Sequence, residues 1–116
     1  MIVEITESFW CEYNKLTTLK NCPQKIGTNL YVVGNLLTSL DGCPEHIKGS
    51  FNCSHNQLIS LKGCPENIGG DFYCSYNELV SLEGCPETIK GDFYCTINNA
   101  KLELPEYVKI GGIFEN

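Results

Sequence analysis

The chain of 116 residues contains no arginine; its eight basic residues are all lysine, and its formal charge is −6. Guanidinium forks grip phosphates at two points, and an acidic chain without them is a poor match for a polyanion. No direct nucleic-acid contact is therefore expected. No apolar run approaches the length of a membrane span, so no membrane contact is expected either. Met1–Ser8 lacks the basic n-region and apolar h-region of a signal peptide, which makes a cytoplasmic location the expectation. There is no Cys-x-x-Cys pair, no His-rich spacing and no phosphate-cradling glycine loop. Neither a metal nor a cofactor is expected.

What the chain does have is a period. Leu40–Ser60, LDGCPEHIKGSFNCSHNQLIS, returns as LKGCPENIGGDFYCSYNELVS at Leu61–Ser81 and as LEGCPETIKGDFYCTINNAKL at Leu82–Leu102. A weaker copy fills Leu19–Ser39. The step is 21 residues without slippage: Asn14, Asn35, Asn56, Asn77 and Asn98 fall on it, and so do Phe9, Leu30, Phe51, Phe72, Phe93 and Phe114. A fixed period of this size means a solenoid of stacked supersecondary units. The whole chain, 1–116, reads as a single domain: 1–8 an N-terminal cap over the open end of the first strand, 9–103 the repeats, and 104–116 an irregular last repeat and C-terminal cap.

Eight cysteines in so short a chain suggest a disulfide framework, but their placement opposes it. Cys22, Cys43, Cys64 and Cys85 share one column; Cys11, Cys53, Cys74 and Cys95 share another, in which the remaining copy has Val32. A position that accepts Val or Cys asks for a small hydrophobe, and free Cys packs as one. Reduced core ladders are the reading, although stacking at about 4.8 Å does not by geometry forbid oxidation.

Within a repeat, Phe51 and Cys53 alternate inward, then Leu58 follows; this is a short strand running into a turn. Parallel stacking of the copies predicts about six short strands. Asn56 ends its strand, and a buried amide with donor and acceptor can satisfy backbone groups of its own turn and of the next repeat. Between Gly63-Cys64-Pro65 and the next strand too few residues remain for more than one helical turn. The outer side is therefore expected to be extended or 3-10, with Ile26, Ile47, Ile68, Ile89 and Ile110 closing the core. The prediction is a mostly β chain with little helix.

With Phe51 and Cys53 inside, their neighbours point out and form stripes. One is Ser8, Asn29, Ser50, Asp71, Asp92, Ile113; the next is Trp10, Tyr31, Asn52, Tyr73, Tyr94, Glu115; a third is Glu12, Val33, Ser54, Ser75, Thr96. Tyr13, His55, Tyr76 and Ile97 lie just beyond the strands. Exposed Trp and Tyr are typical of interface hot spots, and no lysine occurs in the three stripes. Trp10, Tyr31, Asn52, Tyr73, Tyr94, Asp71, Asp92, Tyr13, His55 and Tyr76 are thus the candidate partner-binding residues. The competing explanation is that Tyr favours strands and stacks across neighbouring rungs. No catalytic constellation stands out: the cysteines serve the core, and Glu45, Glu66, Glu87 and Glu106 read as a solvated ridge.

The pattern Phe51-x-Cys53-x-x-Asn56-x-Leu58 and its copies resembles the strand motif of the leucine-rich-repeat family. The Cys-Pro-Glu step resembles short repeats of bacterial and phage proteins. The resemblance implies a curved solenoid with the strands on its concave side, a face that in this family usually binds a protein. It implies no enzymatic activity. The expected function is a non-catalytic module that docks one protein partner with a basic surface. A phage-type inhibitor of a host nucleic-acid-handling or defence protein, acting in the host cytoplasm, would fit. The alternatives are a substrate-recognition fragment of a bacterial repeat effector enzyme and a self-assembling structural protein; the chain is expected to be a monomer or an edge-paired homodimer.

Overall fold

The computed structural model describes residues 4–116 as a parallel β-solenoid without helix among those residues. Each coil contributes two rungs of two residues. The first rungs are β2 (Phe9–Trp10), β4 (Leu30–Tyr31), β6 (Phe51–Asn52), β8 (Phe72–Tyr73), β10 (Phe93–Tyr94) and β12 (Phe114–Glu115). They form one six-stranded parallel sheet, each rung paired to the residue 21 positions on. The outer side is extended, as expected, but it also forms rungs of its own. Those are β1 (Glu4–Ile5), β3 (Lys25–Ile26), β5 (His46–Ile47), β7 (Asn67–Ile68), β9 (Thr88–Ile89) and β11 (Lys109–Ile110). They pair in parallel as β1–β3 and as β5–β7–β9–β11.

The core lies between the two sets of rungs. Leu30, Phe51, Phe72 and Phe93 are fully buried, and the rings from Phe51 to Phe93 stack at 5.5 and 4.9 Å. Opposite them Ile26, Ile47, Ile68 and Ile89 are buried, with Leu37, Leu58, Leu79 and Leu40, Leu61, Leu82 filling the arc between. The chain leaves that arc by a tight turn. The Cys22, Cys43, Cys64 and Cys85 amides donate to the carbonyl three residues back at 2.9–3.1 Å. The residue before each cysteine has φ of 71–99°, which Gly42, Gly63 and Gly84 adopt without a Cβ penalty and Asn21 tolerates. The prolines that follow, Pro23, Pro44, Pro65 and Pro86, are buried.

All eight cysteines are free. Cys11 and Cys53 aim their thiols at the Tyr31 and Tyr73 carbonyls of the following coil at 3.4 and 3.5 Å. Burial pushes the Cys22 thiol up to about 11 and Cys85 to about 12, and holds Cys43, Cys53, Cys64 and Cys74 well above the ordinary value.

One expectation needs correcting at the N-terminal end of the chain and one in its middle. Ile2 and Val3 lie outside the described residues, but Glu4–Ile5 does not lie over Phe9–Trp10. It pairs with Lys25–Ile26 as the first rung of the outer ladder, because Ile5 shares the Ile26 column. At the other end the frame does recover: Ile110 and Phe114 pair in register with Ile89 and Phe93. In the middle, each ladder asparagine reaches back to the preceding coil rather than forward. Asn77 Nδ2 donates to the carbonyls of Cys74 in its own turn and of Cys53 one coil earlier, both at 3.1 Å. Its Oδ1 accepts the amide of Leu58, also one coil earlier, at 3.0 Å. Asn35, Asn56 and Asn98 repeat this pattern. Asn35, Asn56 and Asn77 are buried, whereas Asn14 heads the ladder and is exposed.

Position in this ladder should therefore set the cost of losing the amide. Asn77→Ala strands two carbonyls and an N–H and should cost about 1–3 kcal/mol, whereas Asn14→Ala should stay within about 0.5 kcal/mol, as exposed substitutions do. Urea unfolding of both variants checks this; equal losses would contradict it.

Candidate functional site

The period-2 alternation that buries Phe and Cys turns Trp10, Tyr31, Asn52, Tyr73, Tyr94 and Glu115 to the outer face of the six-stranded sheet. Trp10 is 63 % exposed, and Tyr31, Asn52, Tyr73 and Tyr94 are half-buried against one another. Two aromatic pairs result. Trp10 and Tyr31 have ring centroids 4.2 Å apart, tilted by 34°; Tyr73 and Tyr94 stack at 5.1 Å and 9°. Asn52 stands between the pairs and turns its Oδ1 down to accept the Ser54 amide at 3.0 Å.

Asp71 and Asp92, candidate partner-binding residues in the sequence, have carboxylates that are already engaged. Asp71 Oδ1 accepts the Asp92 amide and Asp92 Oδ1 accepts the Ile113 amide, both at 2.8 Å. Upstream in the same column Ser50 Oγ accepts the Asp71 amide at 2.9 Å and Asn29 Oδ1 accepts the Ser50 amide at 2.7 Å. The column is thus a second capping ladder, running forward from coil to coil. The glycines beside it make room: a Cβ on Gly91 or Gly112 would collide with Asp71 or Asp92 Oδ1. The outer oxygens are engaged too. The Tyr73 hydroxyl donates to Asp71 Oδ2 at 3.1 Å, and Tyr94 to Asp92 Oδ2 at 3.0 Å. Each Tyr–Asp pair therefore presents a fixed phenol edge joined to a carboxylate.

The third stripe also differs from expectation. Ser54 is buried, because its Oγ accepts the Ser75 amide at 3.1 Å, as Ser75 Oγ accepts that of Thr96 at 3.0 Å. Tyr13, His55, Tyr76 and Ile97 occupy one exposed turn column whose backbone is left-handed, with φ of 53–57°. In that column only Gly34 is free of the penalty. Tyr13 lays its ring over Gly34, where a Cβ would collide with it, and His55 stacks on Tyr76 at 4.3 Å. Sequence reasoning placed these residues beside the sheet but missed both their conformation and the Ser–Asp capping column. The glycines that repeat as Gly49, Gly70, Gly91 and Gly112 were the available signal for the capping column. Elsewhere, His46 Nδ1 faces Asn67 Nδ2 at 2.9 Å on the outer ladder. No cluster of three His, Cys, Asp or Glu side chains suited to a metal occurs among the described residues, and no helix is long and apolar enough to cross a membrane.

Compared with protein-family models, curated proteins and solved structures, the chain has no match.

The Tyr–Asp pairs leave a titration signature. Burial first, then the hydrogen bond to Asp71, pushes the Tyr73 phenol up to about 12; the hydrogen bond to Asp92 is the main cause that raises Tyr94. Tyr73 holds its proton more tightly folded than unfolded. Its contribution to stability is therefore full below the ordinary value of 10 and is lost as pH rises through about 12. In an ultraviolet titration Asp71→Asn should bring the Tyr73 ionisation down without restoring it fully, since burial remains. An unchanged Tyr73 would contradict the pairing.

Proposed function

We propose that this chain is a non-catalytic protein-binding module of the leucine-rich-repeat type, docking one protein partner on the outer face of its six-stranded sheet. The observation that carries this reading is the aromatic stripe. Trp10–Tyr31 and Tyr73–Tyr94 are rigid ring pairs on a face whose underside is already filled by Phe and Cys, so the core does not require them. Tyr and Trp supply much contact area with few rotors to immobilise, which is why they dominate binding hot spots. Asp71, Asp92 and Glu115 give the same face a negative sign, and no stripe residue offsets it. A basic partner surface, such as one that handles nucleic acid, is the complement; charge of this kind accelerates encounter more than it holds the complex.

The kinship with leucine-rich repeats rests on the Asn that ends each strand and on the 21-residue coil; the Cys-Pro-Glu step supplies the tight turn and the buried proline. A non-catalytic role is supported by the thiols of Cys22, Cys43, Cys53, Cys64, Cys74 and Cys85, which burial pushes above the ordinary value and which are therefore poor nucleophiles.

The test compares proteins captured from host extract by four immobilised forms of the chain. Tyr73→Ala with Tyr94→Ala, and Trp10→Ala with Tyr31→Ala, should each lose a partner that the parent retains. Each pair should cost only about 1 kcal/mol of stability, the worth of the ring contact. Glu66→Lys with Glu87→Lys, on the outer ladder's side, should retain the partner. Loss in the glutamate variant with retention in both aromatic variants would overturn the assignment of the face. Asp71→Lys and Asp92→Lys are unsuitable probes, because they remove backbone caps as well as charge.

A further inference from the structure

Among the described residues the two end coils each present a strand edge, and the two edges match each other. Among the described residues β2 and β12 each pair on one side only, as do β1 and β11. Burial follows: the inner Phe and Ile columns are closed, whereas Phe9, Phe114, Ile5 and Ile110 are half-buried. At the N-terminal end an apolar cavity of about 180 Å³ opens between Phe9, Leu16, Leu19 and Cys22.

The match runs column by column. Phe9 and Phe114 share the column in which neighbouring rings already meet at 4.9–5.5 Å. Ile5 and Ile110 share the opposite column. Beside them exposed Glu4 and exposed Lys109 share a column at opposite ends and carry opposite charges, and within the chain Glu4 already stands in register with Lys25. The next column reads Thr6, Gly27, Lys48, Gly69, Lys90, Gly111. At each of its glycines a Cβ would collide with the carbonyl of the rung before, so side chain and glycine alternate. A Thr6 stacked beyond Gly111 continues that alternation. The backbone is complementary as well. The amides of Phe9, Leu30, Phe51, Phe72 and Phe93 each donate to the coil that follows, at 2.8–2.9 Å. Phe114 is the next donor in that series, and the Ser8 carbonyl is the matching acceptor.

We propose that the C-terminal edge of one copy docks on the N-terminal edge of a second copy, so that the 116-residue chain assembles head to tail in continuous register. Such a contact joins two different surfaces and leaves one of each free, so growth is open-ended unless the rotation between copies closes a ring. Open strand edges are templates for this kind of pairing. The assembly would display the aromatic face at regular intervals without covering it, and it stands apart from the binding reading above.

Sedimentation velocity over a range of protein concentrations, at low salt, tests the proposal. The parent's mass should rise with concentration beyond two copies. Glu4→Lys and Lys109→Glu are exposed substitutions that set like charges across the junction, and each should shift the midpoint of assembly to roughly fivefold higher concentration, the scale of an exposed ion pair. The double variant restores opposite charges across the junction and should return to the parent's midpoint. An equimolar mixture of the two single variants should do the same, because each end then meets its complement on the other variant. Melting curves of all four proteins establish that they are folded. A parent that stays monomeric at its highest soluble concentration, or one that stops at a dimer, would overturn the proposal. So would double and mixed samples that assemble no better than the single variants, since like ends would then be meeting.

Discussion

The structure depends on side chains that cap backbone groups across the gap between coils. A rung of two residues makes too few ladder hydrogen bonds to hold a sheet by itself, and the turns on either side leave further N–H and C=O groups inside the stack. Leaving such groups unpaired costs on the order of 1–3 kcal/mol each. Two columns supply partners. Asn35, Asn56, Asn77 and Asn98 reach backward, each bonding carbonyls of its own turn and of the coil before and an amide of the coil before; the Asn29–Ser50–Asp71–Asp92 column reaches forward to the next coil's amide. No buried side-chain polar atom among the described residues lacks a partner. The two columns lie at opposite ends of each strand, so every coil is tied to both of its neighbours where the strand begins and where it stops.

This arrangement frees the rest of the surface. Because capping is done by small polar side chains and by Asn, the outward column between them is not needed for cohesion, and it is there that Trp10, Tyr31, Tyr73 and Tyr94 sit. The Tyr hydroxyls are nonetheless joined to the capping aspartates, so one carboxylate both seals the backbone below it and fixes a phenol above it. Residues that serve cohesion and the aromatic residues proposed to serve recognition are thus separated by one strand position, and substitutions must respect that boundary.

The solenoid was readable because a period of 21 residues without slippage leaves one way to stack the copies, and because Phe51 and Cys53 mark the inward face unambiguously. The Asn column was readable as a cap, but not its direction. From one chain an amide could equally serve the coil before or after it; direction depends on which way the strand-ending carbonyls point. The double role of Asp71 and Asp92 was less accessible. In sequence they read as charges beside tyrosines, and only the stacking distance places Oδ1 against the next coil's amide. The outer ladder was missed because its rungs alternate Ile with residues as unlike as Glu4, Lys25, His46 and Thr88, which carry no common strand signal. The left-handed turn at Tyr13, His55, Tyr76 and Ile97 was hidden for the opposite reason: only Gly34 in that column announces a positive φ.

Native-state hydrogen exchange measures the central claim most directly. The amides of Leu58 and Asp92 are bonded only by side chains of neighbouring coils, Asn77 and Asp71. If inter-coil capping holds the stack together, both should be protected as strongly as the Phe72 amide, which donates to a backbone carbonyl of the next coil, and all three should open together near the global unfolding free energy. Rapid exchange at Leu58 and Asp92 alongside a protected Phe72 would show that the backbone ladder stands without its caps, and would contradict the account.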